Sequence, residues 1–104
     1  MNAKQEFLRA VANQKVECAV IRDANEERTI AELKLNYSLD ELDEFLDKLD
    51  FEYEPEMYSD ALTIEGTIWC QGGVWLTREE ANERCYVSEH WHIRKMPLIP
   101  EYLF

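Results

Sequence analysis

The sequence predicts an α+β domain in which two helices pack on an antiparallel sheet of about five strands, in the order α-β-β-α-β-β-β. Three observations carry that prediction. Apolar residues alternate along the chain between helical spacing and a spacing of two. A serine-led capping box opens the stronger helical stretch. The tripeptide Gln71-Gly72-Gly73 divides two alternating runs in the C-terminal half. The 104 residues contain no internal repeat, low-complexity tract or linker, so residues 1–104 are expected to form one domain with one core.

Each element has its own local signature. Residues 2–13 read as a helix, with Asn2 as N-cap and Phe7, Leu8 and Val11 on one side. From Val16 to Asp23 the period becomes two, with Val16, Cys18 and Val20 facing one way and Glu17, Ala19 and Ile21 the other. The polar stretch Ala24–Arg28 is a turn. A second strand follows over Thr29–Asn36, with Ala31, Leu33 and Leu35 on one face, and the short link favours a hairpin. Ser38 and Glu41 form the capping box of a helix running to about Asp50, with Leu39, Leu42, Leu46 and Leu49 as its apolar stripe and Phe45 widening it. Residues 51–60 suit an extended acidic connection broken by Pro55. Leu62–Cys70 alternates as a strand, Val74–Thr77 returns beside it, Arg78–Arg84 reads as a loop, and Cys85–Arg94 alternates as a last strand. Pro97 and Pro100 then rule out a regular ending.

Composition narrows the function classes. A 46% hydrophobic and 12% aromatic content is too rich for a disordered acidic tail. No run approaches the ~18 apolar residues of a membrane span, and the stretch Met1-Asn2-Ala3-Lys4-Gln5-Glu6 lacks the pattern of a secretory signal. The expected location is therefore the cytoplasm. The net charge of −11 is unevenly spread: residues 31–65 alone carry twelve acids against two bases. Direct nucleic-acid binding and anionic membranes are disfavoured, since both require Lys and Arg to meet phosphates.

The acidic middle is the strongest candidate surface. Asp40, Asp43, Glu44, Asp47 and Asp50 on the second helix, continued by Glu52 and Glu54, face only Lys48. Such a surface suits docking on a basic groove, where complementary charge speeds association and selects the partner. It also suits simple solvation of a helix face. Calcium is discounted, because an EF-hand loop needs a glycine at its sixth position and residues 40–60 contain none. Trp69 and Trp75 should pair across the glycine turn, off the face that carries Ile68. With Tyr86, Ser88, His90 and His92 on the same outer face, they are either interface anchors or a second packing layer covered by the N-terminal helix.

Other chemistry finds little support. His90 and His92 point to one side of a strand, but paired Cys or His-x₃-His spacing is missing, so they read as sheet histidines and no metal is expected. Cys18, Cys70 and Cys85 form no CxxC pair and read as small buried apolar residues. No GxSxG, Walker A, HExxH or GxGxxG pattern occurs. No catalytic residue or cofactor is therefore assigned.

Gly66-Thr67-Ile68-Trp69, Gly72-Gly73-Val74-Trp75, Arg78, Ser88-Glu89-His90-Trp91 and Pro97-Leu98-Ile99-Pro100 resemble a pattern shared by a group of small phage and prophage proteins. Asp47 to Glu54 is similar too, so the resemblance covers about the last 60 residues. The sequence departs from it at Tyr86-Val87 and His90, where the group has an Asp-Gly turn and a tryptophan. The resemblance implies a mobile-element gene, and with it a non-enzymatic inhibitor or adaptor of anti-CRISPR or anti-restriction type. The expected partner is a basic host protein or nuclease complex, met by the acids and by Trp69 and Trp75. The alternative is a phage accessory protein forming a homodimer through its tryptophan-bearing sheet face.

Overall fold

The computed structural model describes residues 2–53, 64–78, 86–88 and 96–104. It has two helices, α1 (Ala3–Val11) and α2 (Leu39–Leu49), and strands β1 (Val16–Asp23), β2 (Arg28–Leu33), β3 (Ile64–Cys70) and β4 (Val74–Arg78), with a two-residue β5 (Val87–Ser88). The sheet runs β2-β1-β3-β4-β5 with every neighbouring pair antiparallel. The α+β class stands. Of the last strand expected over Cys85–Arg94, Val87–Ser88 are paired, while Cys85 and residues 89–94 lie outside the described residues.

Both helices begin where the sequence places them, because their caps are local. The Asn2 side chain accepts from the Gln5 N–H at 3.0 Å. Ser38 accepts from the Glu41 N–H, and the Glu41 carboxylate accepts from the Ser38 N–H, completing the capping box. These bonds satisfy helix-start donors that have no partner within the helix.

The helices cover one face of the sheet. Phe7 and Phe45 meet edge to face with ring centroids 5.1 Å apart, above Ala19, Ile21, Ala31, Leu33, Ile64, Ile68 and Leu76. The opposite face carries Cys18, Val20, Trp69 and Trp75. β1 thus serves two cores, but not in simple alternation. Its pairing with β3 slips between Val16 and Cys18, which places Val16 with the helix-side core and Cys18 with the other. A bulge inserts one residue and reverses the facing downstream, so the expected grouping of Val16 with Cys18 and Val20 is corrected. Leu35 is corrected likewise: β2 ends at Leu33, and Leu35 packs beside the tryptophans rather than with Ala31 and Leu33.

The second face is closed by the C-terminal segment, not by the N-terminal helix. Pro97 accepts from the Trp69 indole N–H at 2.9 Å. A 3-10 turn at Glu101–Leu103 inserts the fully buried Leu103 among Cys18, Val20, Trp69 and Trp75. The Leu35 N–H donates to the Leu103 carbonyl at 2.7 Å, which ties this strap to the end of β2. Leu103→Ala is expected to destabilise the fold by ~2–5 kcal/mol, the range for truncating a buried leucine. Urea denaturation checks the loss, and the native tryptophan emission should shift to the red.

Candidate functional site

The outer side of α2 is an exposed acidic surface. At about 100° per residue, Asp40, Asp43, Glu44 and Asp47 fall on one stripe, opposite Leu42, Phe45, Leu46 and Leu49. All four acids are exposed. Among the described residues, none of the four has an ion pair.

Asp50 and Glu52 differ from these four. Asn2 Nδ2 donates to Asp50 Oδ1 at 3.0 Å and to Glu52 Oε1 at 3.4 Å. The Ala3 N–H donates to the Phe51 carbonyl at 3.0 Å. Both carboxylates therefore gather at the N-terminus of α1, where the helix dipole favours negative charge. They bind one helix to the other while remaining exposed. Glu54 lies outside the described residues, as do His90 and His92.

Trp69 and Trp75 are directly paired across the β3–β4 hairpin, as their positions around the glycines predict. They are not surface anchors. Only 3% and 5% of their respective surfaces are exposed, because Leu103 and Ile99 pack over them. A buried ring cannot contact a partner without first displacing the strap. The sheet-face dimer expected from these residues therefore loses its tryptophans. Tyr86 is corrected as well: its ring lies over Arg78, against the helix-side core.

Arg78, expected in a loop, ends β4 and is 1% exposed. Arg78 Nη1 donates to Glu6 Oε1 and, at 2.7 Å, to the Tyr53 hydroxyl, which itself donates to Glu6 Oε1 at 2.6 Å. The guanidinium carbon lies 5.4 Å from the Tyr53 ring centre and 5.7 Å from that of Tyr86. Glu6 projects from the apolar side of α1 beside Ala3 and Phe7, and its Oε2 is buried with no hydrogen-bond partner among the described residues. Burial raises the pKa of Tyr53, with the Tyr86 charge adding to the rise. Burial raises Tyr86 too, partly offset by Arg78. Glu6, Tyr53 and Arg78 are buried, and Tyr86 is half-buried beside them. Sequence alone offered a single hint of it, a glutamate on the apolar face of α1.

A groove opens at the head of α2. It is about 650 Å³ in volume and is walled by Lys15, Val16 and Glu17 at the start of β1, by Leu35, Asn36 and Tyr37 before α2, by Leu39 and Leu42, and by Gln71. Leu39 belongs to the stripe expected to face the core, yet it is 78% exposed. It is the first residue of α2 and lines this groove instead. The helical spacing of the leucines could not show that, since it does not say where a helix overhangs its sheet. Cys18 and Cys70 are buried next in sequence to the wall residues Glu17 and Gln71. Cys18 is pushed up to about 11 by burial, then by the neighbouring charges of Glu17 and Cys70. Cys70 is raised by burial and Glu17, and Tyr37 by burial and Cys70.

No family model, curated protein or solved structure matches this chain.

Two outcomes follow from these buried groups. Arg78→Met leaves the Glu6 carboxylate buried without its cation, and stability in urea should fall by ~3–5 kcal/mol. Replacing both members (Glu6→Leu with Arg78→Met) should restore much of that loss. Separately, Cys18, Cys70, Tyr37, Tyr53 and Tyr86 all hold their protons more tightly when folded. Their contribution is complete below the ordinary thiol value of 9.0 and is lost as pH rises through about 11 for Cys18. The urea midpoint should therefore fall steadily above pH 9.0, and Cys18→Ala should remove part of that slope.

Proposed function

We infer that this chain is a non-enzymatic protein-binding module that docks the acidic side of α2 on a basic, nucleic-acid-binding surface of another protein. One observation carries the reading. Asp40, Asp43, Glu44 and Asp47 form a single exposed stripe, without an ion pair among the described residues. Asp40 with Glu44 and Asp43 with Asp47 are like-charged neighbours one turn apart, each pair opposing the helix by ~0.2–0.5 kcal/mol. A basic surface relieves that repulsion on contact. A net charge on α2 of about one for every 4 Å of helix is of the same order as duplex DNA, with one per ~1.7 Å. The stripe thus acts as an electrostatic stand-in for a phosphate backbone.

The resemblance of the C-terminal half to small phage and prophage proteins adds the setting. In a mobile element, such a module would act stoichiometrically on a host nuclease or defence complex. The reading therefore extends to an inhibitor or adaptor of anti-CRISPR or anti-restriction type. Its location would then be the host cytoplasm. Asp50 and Glu52 contribute to the field of the surface while also anchoring α1.

The test uses immobilised protein and host extract at low and high salt. A retained partner should be basic, should be released as salt rises, and should lose DNA in competition with this chain. Reversing Asp43, Glu44 and Asp47 to lysine should weaken that partner at least tenfold and flatten its salt dependence. These side chains are exposed, so folding should be kept. Unchanged affinity and unchanged salt dependence in the reversed protein would sink the reading.

A further inference from the structure

The groove at the head of α2 extends the docking surface and says what kind of segment it takes; this step rests on the acidic-docking reading. Its walls are preformed. The Tyr37 hydroxyl donates to the Val16 carbonyl at 2.6 Å, and the Gln71 N–H donates to the Lys15 carbonyl at 2.9 Å. Those bonds hold three chain segments around the concavity. At about 650 Å³ it lies within the ~300–1,000 Å³ of typical binding pockets. Leu39, Leu42, Leu35 and Val16 supply apolar surface in it. A lone exposed leucine is unremarkable on a protein. One that is 78% exposed at the wall of a preformed groove, beside an unpaired charge stripe, is a different matter.

Charge selects the occupant. Asp43 lies one helical turn beyond Leu39, and Asp40 follows Leu39 directly, so exposed carboxylates border the groove on its α2 side. On the β1 side, Lys15 and Glu17 oppose one another in sign. A segment that lowers an apolar side chain into the groove therefore passes the Asp40 and Asp43 carboxylates and is favoured if it carries lysine or arginine. A second copy of this chain fits poorly, since its own net charge is −11 and like charges repel.

We propose that the groove seats a bulky apolar side chain from a Lys/Arg-flanked segment of the basic partner, while Asp40 and Asp43 pair with the flanking cations. Burying an anchor supplies affinity that exposed ion pairs alone do not. The groove thus makes recognition depend on shape as well as on charge.

The probe is a displayed library of random twelve-residue peptides, selected on the intact protein and counter-selected on Leu39→Ser. Leu39 is outside the core, and circular dichroism checks that the variant is folded. Enriched peptides should share an aromatic or branched apolar residue with Lys or Arg within three or four positions. A synthetic copy should bind Leu39→Ser roughly tenfold more weakly. Its binding to the intact protein should weaken with salt, and less steeply for the Asp40→Asn, Asp43→Asn protein. Basic peptides with no apolar requirement, binding both proteins equally, would overturn the groove and leave the acidic docking standing. Neutral or acidic peptides seated in the groove would overturn its charge selection and the docking reading together. Absence of any enrichment over Leu39→Ser would overturn the groove inference.

Discussion

The side chain of Arg78 joins the sheet to the helical layer, and the placement of the charged surface depends on that junction. From the end of β4 it reaches Glu6 on α1 and the Tyr53 hydroxyl beyond α2, with the Tyr53 and Tyr86 rings about it. A guanidinium withdrawn from water to this degree is tolerated only with a carboxylate and well-placed rings around it. Glu6 orients α1, and α1 in turn holds the far end of α2 through Asn2, Asp50 and Glu52. The Phe7–Phe45 contact completes the link between the two helices. α2 is thereby fixed with Leu42, Phe45, Leu46 and Leu49 inward and its carboxylates outward.

The acids of the middle third consequently divide into two kinds. Asp50 and Glu52 are partnered by the start of α1, so their charge is spent partly within the fold. Asp40, Asp43, Glu44 and Asp47 repel one another along one stripe. The helix bears this because its stability comes from the capping box and from Phe45 and Leu49 in the core, not from its own surface pairs. A helix made secure at its start and inner face leaves its outer face able to carry unpaired like charge.

The two sheet faces are closed by different means. The helices bury one face, and a strap bearing two prolines and a 3-10 turn buries the other. The strap removes Trp69 and Trp75 from the surface and satisfies the Trp69 indole N–H. Apolar surface suited to contact is thereby shifted from the sheet to the groove beside Leu39. There it adjoins the carboxylates, so the groove and the acidic stripe occupy neighbouring positions on one helix.

Local chemistry settled much of this in advance. Asn2 and Ser38 define the helix starts because a cap needs only the next three residues. Gly72 and Gly73, both at positive φ, define the hairpin that pairs Trp69 with Trp75, since glycine enters that region without steric cost. The acidic stripe follows from residue spacing on α2. What the one-dimensional pattern could not contain was the outcome of packing between distant segments. The bulge near Glu17 reverses which side of β1 Cys18 takes, and strict alternation carries no sign of it. Leu103 covers Trp69 from 34 positions along the chain. Glu6 finds Arg78, 72 residues away. Each depends on which surfaces remain to be buried once the neighbouring elements have packed, and only the folded chain decides that.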